Sequence, residues 1–505
     1  MNENEDLIYG KNKTYRIVCV EQHDTHLEIF REVNGKILNS FIPCNRWILS
    51  SYPLDTNWIR LKGELHYKFG KQYNSEEEFQ NAKIKFKHKD IYFINNAKEA
   101  ALVNKGITYY KDMKIEEVSV LSFDLETTTL NPNLPEAKVL LISTTYRKQG
   151  ELVRRLFAYD EFENEGEMIE AFCEYVRSID PSIILGHNIM SFDIPYLNTI
   201  AEKHGVSLKL GRDGSEIRIE EWESKFRKES TQFIHYNKAH IYGREIVDTL
   251  FLSIKYDTAS RKYMSYGLKN IIKQEGLEKK DRTFYDAGQI RFKYQDKCEW
   301  EKIKAYCVDD SDDSITLFDL MIPAYFFMTN SIPMPFQKII ESASGSQLNS
   351  IMVRSYLQQG HSIPKATEVT YVEGGISFGV PGIYKNVIKV DLKSAYPSQI
   401  LRFKLFDKEK DPQSNFYLMT KFFTEERFKL KELARNDKTG YYKARDAATK
   451  IFINSMYGLC NTPGLNFNSP EMAAKITKET RNVIELALQW ASGNGVEYWR
   501  SKCEL

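Results

Sequence analysis

Long apolar runs are missing from this sequence. None reaches the roughly 18 to 20 residues that a membrane-crossing helix needs, so membrane-embedded function classes are not expected. Cysteine is sparse, with seven in 505 residues, all scattered and none in a C-x-x-C pair. That spacing disfavours zinc sites and disulfide scaffolds and suits a reducing compartment. An excess of one charge is missing too: 70 Lys and Arg against 69 Asp and Glu leave a formal net charge of +1. Charge alone therefore gives no sign of nucleic-acid binding, although a basic track and acidic metal sites would cancel in such a sum. There is no internal repeat and no low-complexity tract. The first six residues, MNENED, are acidic, unlike a secretory or organellar leader, and a cytoplasmic protein is expected.

What is present is a chain too long for one core, so three or four domains are expected. Residues 1–110 alternate strand-like runs, such as YRIVCV at 15–20, with polar turns and read as a β-rich domain. Residues 111–325 mix strand and helix patterns and hold three acidic segments. Residues 326–370 read as a connector rich in polar turns and Pro. From 371 a strand-rich unit is expected, ending in a strand over 384–392. Helices are expected over 421–457, interrupted by NDKTG at 436–440. A last helix is marked by Ser469 as N-cap, Pro470 at its first position and Gly493 as its stop.

The first acidic segment is VSVLSFDLE at 118–126. Residues two apart share a face of a strand, so Asp124 and Glu126 point the same way, a repulsive arrangement unless a cation lies between them. The second, IILGHNIMSFDIPYL at 183–197, runs from an apolar strand through a Gly-containing turn to a helix, with Asp193 near the helix start. The third lies on a helix over 300–320, where Tyr306 and Asp310 are four apart and share a face. Read singly, each has a plainer explanation: an acidic strand end, a helix N-cap, an exposed acidic helix.

Further along, residues 391–398 read DLKSAYPS and residues 450–458 read KIFINSMYG. On a helix, Lys450, Asn454 and Tyr457 fall on one face. Arg427 and Lys431 are four apart upstream.

Together and in this order, the segments resemble family B DNA polymerases, above all phage and archaeal ones. D-x-E, then N-x-x-x-F-D, then Y-x-x-x-D is the family's exonuclease pattern, shared with RNase H-like 3′-5′ exonucleases. It is matched at Asp124 and Glu126, at Asn188, Phe192 and Asp193, and at Tyr306 and Asp310. The family's D-x-x-S-L-Y-P-S keeps Asp391, Ser394, Tyr396, Pro397 and Ser398, with Ala395 in place of its Leu. Its K-x-x-x-N-S-x-Y-G is matched at every fixed position. Glu373-Gly374-Gly375 lies where the family has Y-x-G-G, but Tyr371 is one residue too far upstream, and the partial match implies no more than a DNA contact.

The resemblance implies an α/β multidomain fold. Its parts are a β-rich N-terminal domain (1–110), an RNase H-like 3′-5′ exonuclease domain (111–325) and a connector that is part of the N-terminal domain (326–370). A first part of the polymerase palm (371–415), helical fingers (416–461) and an incomplete palm without a thumb (462–505) follow. It implies two Mg²⁺ or Mn²⁺ ions per active site, because hard oxygen ligands suit those ions. Asp124, Glu126, Asp193 and Asp310 would hold the nuclease pair, Tyr306 would orient the attacking water, and Asp391 would bind the polymerase metals. The adjacent Asp309 competes for the motif's last position, and the spacing selects Asp310. Ser394, Ala395, Tyr396, Arg427, Lys431, Lys450, Asn454 and Tyr457 would bind the incoming nucleotide. Ala395 would remove apolar bulk beside Tyr396. Implied partners are a primer-template with its single-stranded 3′ end, dNTPs and a sliding clamp, in the cytoplasm of a cell or of a phage-infected host.

The family's last palm motif, D-T-D, is missing: no Asp-x-Asp follows Asp391. A site short of one palm carboxylate would lose on the order of a thousandfold or more in rate. The expectation is one subunit of a split polymerase, with a second polypeptide supplying the final motif and the thumb. A stand-alone exonuclease with a vestigial palm, and a non-catalytic DNA-binding or assembly protein, stay open as alternatives.

Overall fold

The structure is a computed structural model that describes residues 3–503, apart from 229–230, 259, 370–371, 380, 388–390 and 393, and side chains from residue 5 onward. The N-terminal part holds two antiparallel sheets. The first is β1 (Ile17–Gln22), β2 (His26–Val33) and β3 (Lys36–Pro43), in that spatial order. The second comprises β4 (Arg46–Ser50), β5 (Ile59–Arg60), β6 (Phe69–Tyr73) and β7 (Ile91–Tyr92), in the order β5-β6-β4-β7.

Next in the chain come β8 (Val120–Thr127), β9 (Val139–Lys148), β10 (Glu151–Ala158) and β11 (Ile183–Gly186). The hairpin β12 (Arg218–Arg227) and β13 (Phe233–His240) follows, and then β14 (Glu245–Asp248). Five of them form a mixed sheet in the order β10-β9-β8-β11-β14, in which β8, β11 and β14 run parallel. Residues 139–147 of β9 are all buried because helices cover both faces of the sheet. On one face the helix Glu165–Ile179 packs its Phe172 against Phe123 and Phe157, with ring centroids 5.3 and 5.9 Å apart. On the other, the 25-residue helix Lys297–Met321 is stitched to β9. Ser143 Oγ donates to Cys307 O (2.7 Å), and the Thr145 and Ser311 hydroxyls are 2.9 Å apart. Asp124 pairs across the sheet with Ser143, so it faces that helix as well.

The rest of the described chain is helical. Asn415–Ala434 and Tyr441–Asn461 form an antiparallel pair on either side of residues 436–440, as their periodicity predicts. The helix Pro470–Ser492 has the caps expected of it: Ser469 accepts the Met472 N–H, and Gly493 closes it with φ 72°. One apolar core runs through most of the molecule, from Leu7 to Ile476. Arg354, with no exposed surface, pins it by donating to the carbonyls of Leu7 (2.8 Å), Ile8 (2.7 Å) and Ser331 (2.7 Å).

Two expectations are corrected. Residues 326–370 are not mainly polar turns. They carry the helices Phe336–Glu341 and Ser344–Gln358, because Leu348, Ile351, Met352 and Tyr356 recur at helical spacing and are fully buried. The strand expected over 384–392 is not formed among the described residues of that run, and 388–390 lie outside them. A strand needs a neighbour to hydrogen-bond with, and every described strand lies between residues 17 and 248. Its described apolar residues are instead exposed, Tyr384 at 60% and Val387 at 70%. Pro397 sits in the first turn of the helix Ala395–Phe403, where a missing N–H costs nothing. Tyr371 lies outside the described residues. The neighbouring Glu373 and Gly374 carbonyls accept from Arg481 at 3.0 and 2.7 Å.

Gly186 ends β11 where the chain must turn tightly beneath the site. A Cβ there would lie 2.9 Å from Phe123 O and 3.1 Å from Ile189 Cβ. Gly186→Ala is therefore expected to cost about 1–3 kcal/mol and to lower the thermal midpoint by a few degrees. A melt indistinguishable from wild type would show that the close approach is dispensable.

Candidate active site

The carboxyl ends of β8, β11 and β14 lie side by side, the place where parallel strands present loops and ligand sites. Asp124 and Glu126 project from one face of β8, and the register shifts just after Glu126. The β11 turn passes through Asn188, at φ 70°, into the helix Asp193–Lys203. That turn is held by Asp248 at the end of β14. Its carboxylate accepts the N–H groups of Asn188 (2.9 Å) and Met190 (3.2 Å) while capping its own helix through Leu250 N–H (2.9 Å). Asp193 is the first residue of its helix, and Phe192 takes the cap position. Tyr306 and Asp310 present one face of the helix Lys297–Met321 to the same pocket.

The structure thus gathers Asp124, Glu126, Asp193, Tyr306 and Asp310. All are buried except Asp124, which keeps partial exposure. Asp309 turns away: it accepts the Thr283 N–H at 2.8 Å, which leaves Asp310 as the inward carboxylate. Burial, reinforced by Asp310, Asp193 and Glu126, holds the Asp124 carboxyl far above the usual carboxylate range. Burial, with Asp310 adding to it, pushes Glu126 up to about 8. Asp193 is pushed up to about 7 by burial, with backbone N–H groups pulling the other way and Asp248 adding to the rise. Burial and the surrounding carboxylates also raise the Tyr306 phenol, so it stays a neutral hydroxyl.

Two basic residues that the motifs do not name complete the site. Lys269 Nζ hydrogen-bonds the Tyr306 hydroxyl and lies 3.3 Å from Asp310 Oδ2. Arg282, buried, bridges Asp310 Oδ1 (2.5 Å) and Asp313 Oδ2 (2.7 Å). Both come from segments between the second and third motifs and meet the site only through tertiary packing. Asp248 carried a fainter signal, an acidic residue closing the apolar run 246–247.

The pocket fits divalent cations. Asp124, Glu126 and Cys307 each bring a ligand atom within 4.8 Å of the others. No hydrogen bond or ion pair is made by the Glu126 carboxylate among the described residues, an orphaned buried charge that an ion would satisfy. The oxygen donors suit Mg²⁺ or Mn²⁺.

The polymerase-like residues assemble differently. The rings of Tyr396 and Tyr457 lie with centroids 4.9 Å apart, and Arg427 Nη1 donates to Ser394 Oγ at 3.3 Å. Ala395 is half-buried next to them. Lys431, Lys450, Asn454 and Asp391 are exposed. These side chains line an open surface rather than a closed pocket.

Raised carboxyl groups make the ion-free chain take up protons on folding. Its stability is therefore full below the unfolded carboxylate range and declines as pH rises from about 4.5 to about 8. Millimolar Mg²⁺ or Mn²⁺ should raise the thermal midpoint by a few degrees at pH 8 and by much less at pH 5. Equal ion-induced shifts at both pH values would rule out this reading of the cluster.

Comparison with known proteins agrees with this geometry. Residues 56–271 match the family model "DNA polymerase family B, exonuclease domain". A DNA polymerase of Pyrococcus glycovorans is 22% identical over 423 residues, covering 76% of this chain and 52% of that protein. A DNA polymerase of Thermococcus gorgonarius is 22% identical over 512 residues, covering 94% of this chain and 61% of that one. The chain thus spans little more than half the length of these relatives. The structure of the family B DNA polymerase from Pyrobaculum calidifontis superposes with a TM-score of 0.74 at 16% identity, over 95% of this chain and 72% of that one. Residues 56–271 are thus similar to the exonuclease domain of family B DNA polymerases, and most of the chain is similar to the N-terminal part of archaeal DNA polymerases.

Proposed function

We propose that this chain is a metal-dependent 3′-5′ exonuclease acting on DNA ends, joined to the nucleotide-binding half of a DNA polymerase. The observation that carries the first part is the convergence of Asp124, Glu126, Asp193 and Asp310 with the neutral hydroxyl of Tyr306. Two divalent ions, when bound, would supply an activated water and neutralise charge on the leaving oxygen. The protein's own part is to place those groups. Lys269 fixes the direction of the Tyr306 hydroxyl, which orients the water. Arg282 anchors Asp310 from behind, and Asp248 fixes the loop that carries Asp193.

The second part rests on the surface formed by Ser394, Ala395, Tyr396 and Tyr457, with Arg427, Lys431 and Lys450 as cations for a triphosphate. Asp391 is one metal-binding carboxylate there.

A 5′-labelled primer annealed to a template, given Mg²⁺, tests the first part. The chain should shorten the primer. Asp124→Ala should cut degradation on the order of a thousandfold or more. Lys269→Met should lower kcat about ten- to a hundredfold with KM for DNA little changed. Shortening that survives Asp124→Ala would overturn the nuclease assignment.

A further inference from the structure

We propose that Asp124, Glu126 and Cys307 form a mixed oxygen–sulfur site that takes one thiophilic divalent cation, Zn²⁺ or Cd²⁺, in preference to Mg²⁺. The thiol follows Tyr306 on the helix Lys297–Met321 and is fully buried against β8. Its Sγ lies 3.9 Å from both the main-chain oxygen and Oδ2 of Asp124. One ligand atom from each of the three side chains falls within 4.8 Å of the others. Zn–S and Zn–O bonds of about 2.3 and 2.0 Å at a tetrahedral angle place sulfur and oxygen about 3.5 Å apart. Closing 3.9 Å to that separation asks for only a small side-chain movement.

A second, independent observation points at a ligand here. Glu126, only 8% exposed and aimed into the group, accepts no hydrogen bond and makes no ion pair among the described residues. A cation between it and the thiol would satisfy it. Oxygen ligands alone would favour hard ions, whereas one thiolate tilts the choice toward zinc and cadmium. Binding is a proton exchange without redox: the Cys307 S–H bond breaks, an S–metal bond forms, and the proton leaves to solvent. The consequence is a nuclease centre in which a thiophilic ion competes with Mg²⁺ for the same two carboxylates.

The site uses the carboxylate pair of the proposed exonuclease, yet it can be read without DNA or turnover. The experiment is a Cd²⁺ titration in Mg²⁺-free buffer, following the ultraviolet thiolate-to-metal charge-transfer band. It uses the full chain with Cys298→Ser and Cys503→Ser, which removes the thiols that are not buried. One equivalent of Cd²⁺ should saturate the band. Cys307→Ser should abolish it with the near-ultraviolet circular dichroism retained. Glu126→Gln should keep the thiol and weaken binding by on the order of tenfold or more. A chain without nuclease activity that still shows this pattern would leave the metal site standing and the exonuclease reading fallen. A missing band, a band that survives Cys307→Ser, or affinity indifferent to Glu126→Gln would overturn the proposal.

Discussion

Four carboxylates gathered in one largely buried pocket repel each other, and the surrounding structure is organised around containing that repulsion. The parallel run of β8, β11 and β14 brings the strand ends together. Gly186 lets the second loop pass within contact of β8, and Asp248 ties that loop down through two backbone N–H groups. Arg282 offsets charge at Asp310 and Asp313, and Lys269 at Asp310, Asp124 and Glu126. Burial still raises all four carboxyl groups. Uncompensated buried charge of this kind costs stability, and sites of function are where such costs persist.

The polymerase-like half follows the opposite logic. Lys431 and Lys450 are exposed, Arg427 and the aromatic pair are half-buried, and Asp391 stands in the open. Side chains of this sort are solvated and unstrained, and nothing about them requires an ion for the fold to stand. The proposed nuclease centre is thus built into a core, whereas the proposed nucleotide surface is laid over a scaffold of helices. Adjusting the second through single residues, as with Ala395, perturbs little else. Adjusting the first disturbs the sheet beneath it.

Much of the candidate site was legible in the sequence because its periodicities are local. Asp124 and Glu126 share a strand face by a period of two, and Tyr306 and Asp310 share a helix face by a spacing of four. The caps of the last long helix are equally local chemistry. What stayed hidden depends on distant parts of the chain. Lys269 and Arg282 look like ordinary surface cations until the helix Lys297–Met321 is folded against them. Residues 326–370 carry helical spacing among polar and Pro residues whose local preference is for turns. The strand expected over 384–392 was inferred from alternation, which reports a face to be buried but not the neighbour that would bury it.

The unbroken core has a consequence for how this molecule can be taken apart. Sequence boundaries near 110 and 325 suggest modules, yet Tyr110 stacks on Phe326 with centroids 4.9 Å apart, across both boundaries at once. Arg354 likewise clasps the first helix, 346 positions away in sequence. A nuclease excised at those boundaries would carry a raw apolar wound and a guanidinium stripped of its carbonyls. Gene shuffling that treats the segments as interchangeable cassettes would meet the same barrier. Variation is accordingly left to places such as the exposed turn at 436–440, where the chain leaves the shared interior.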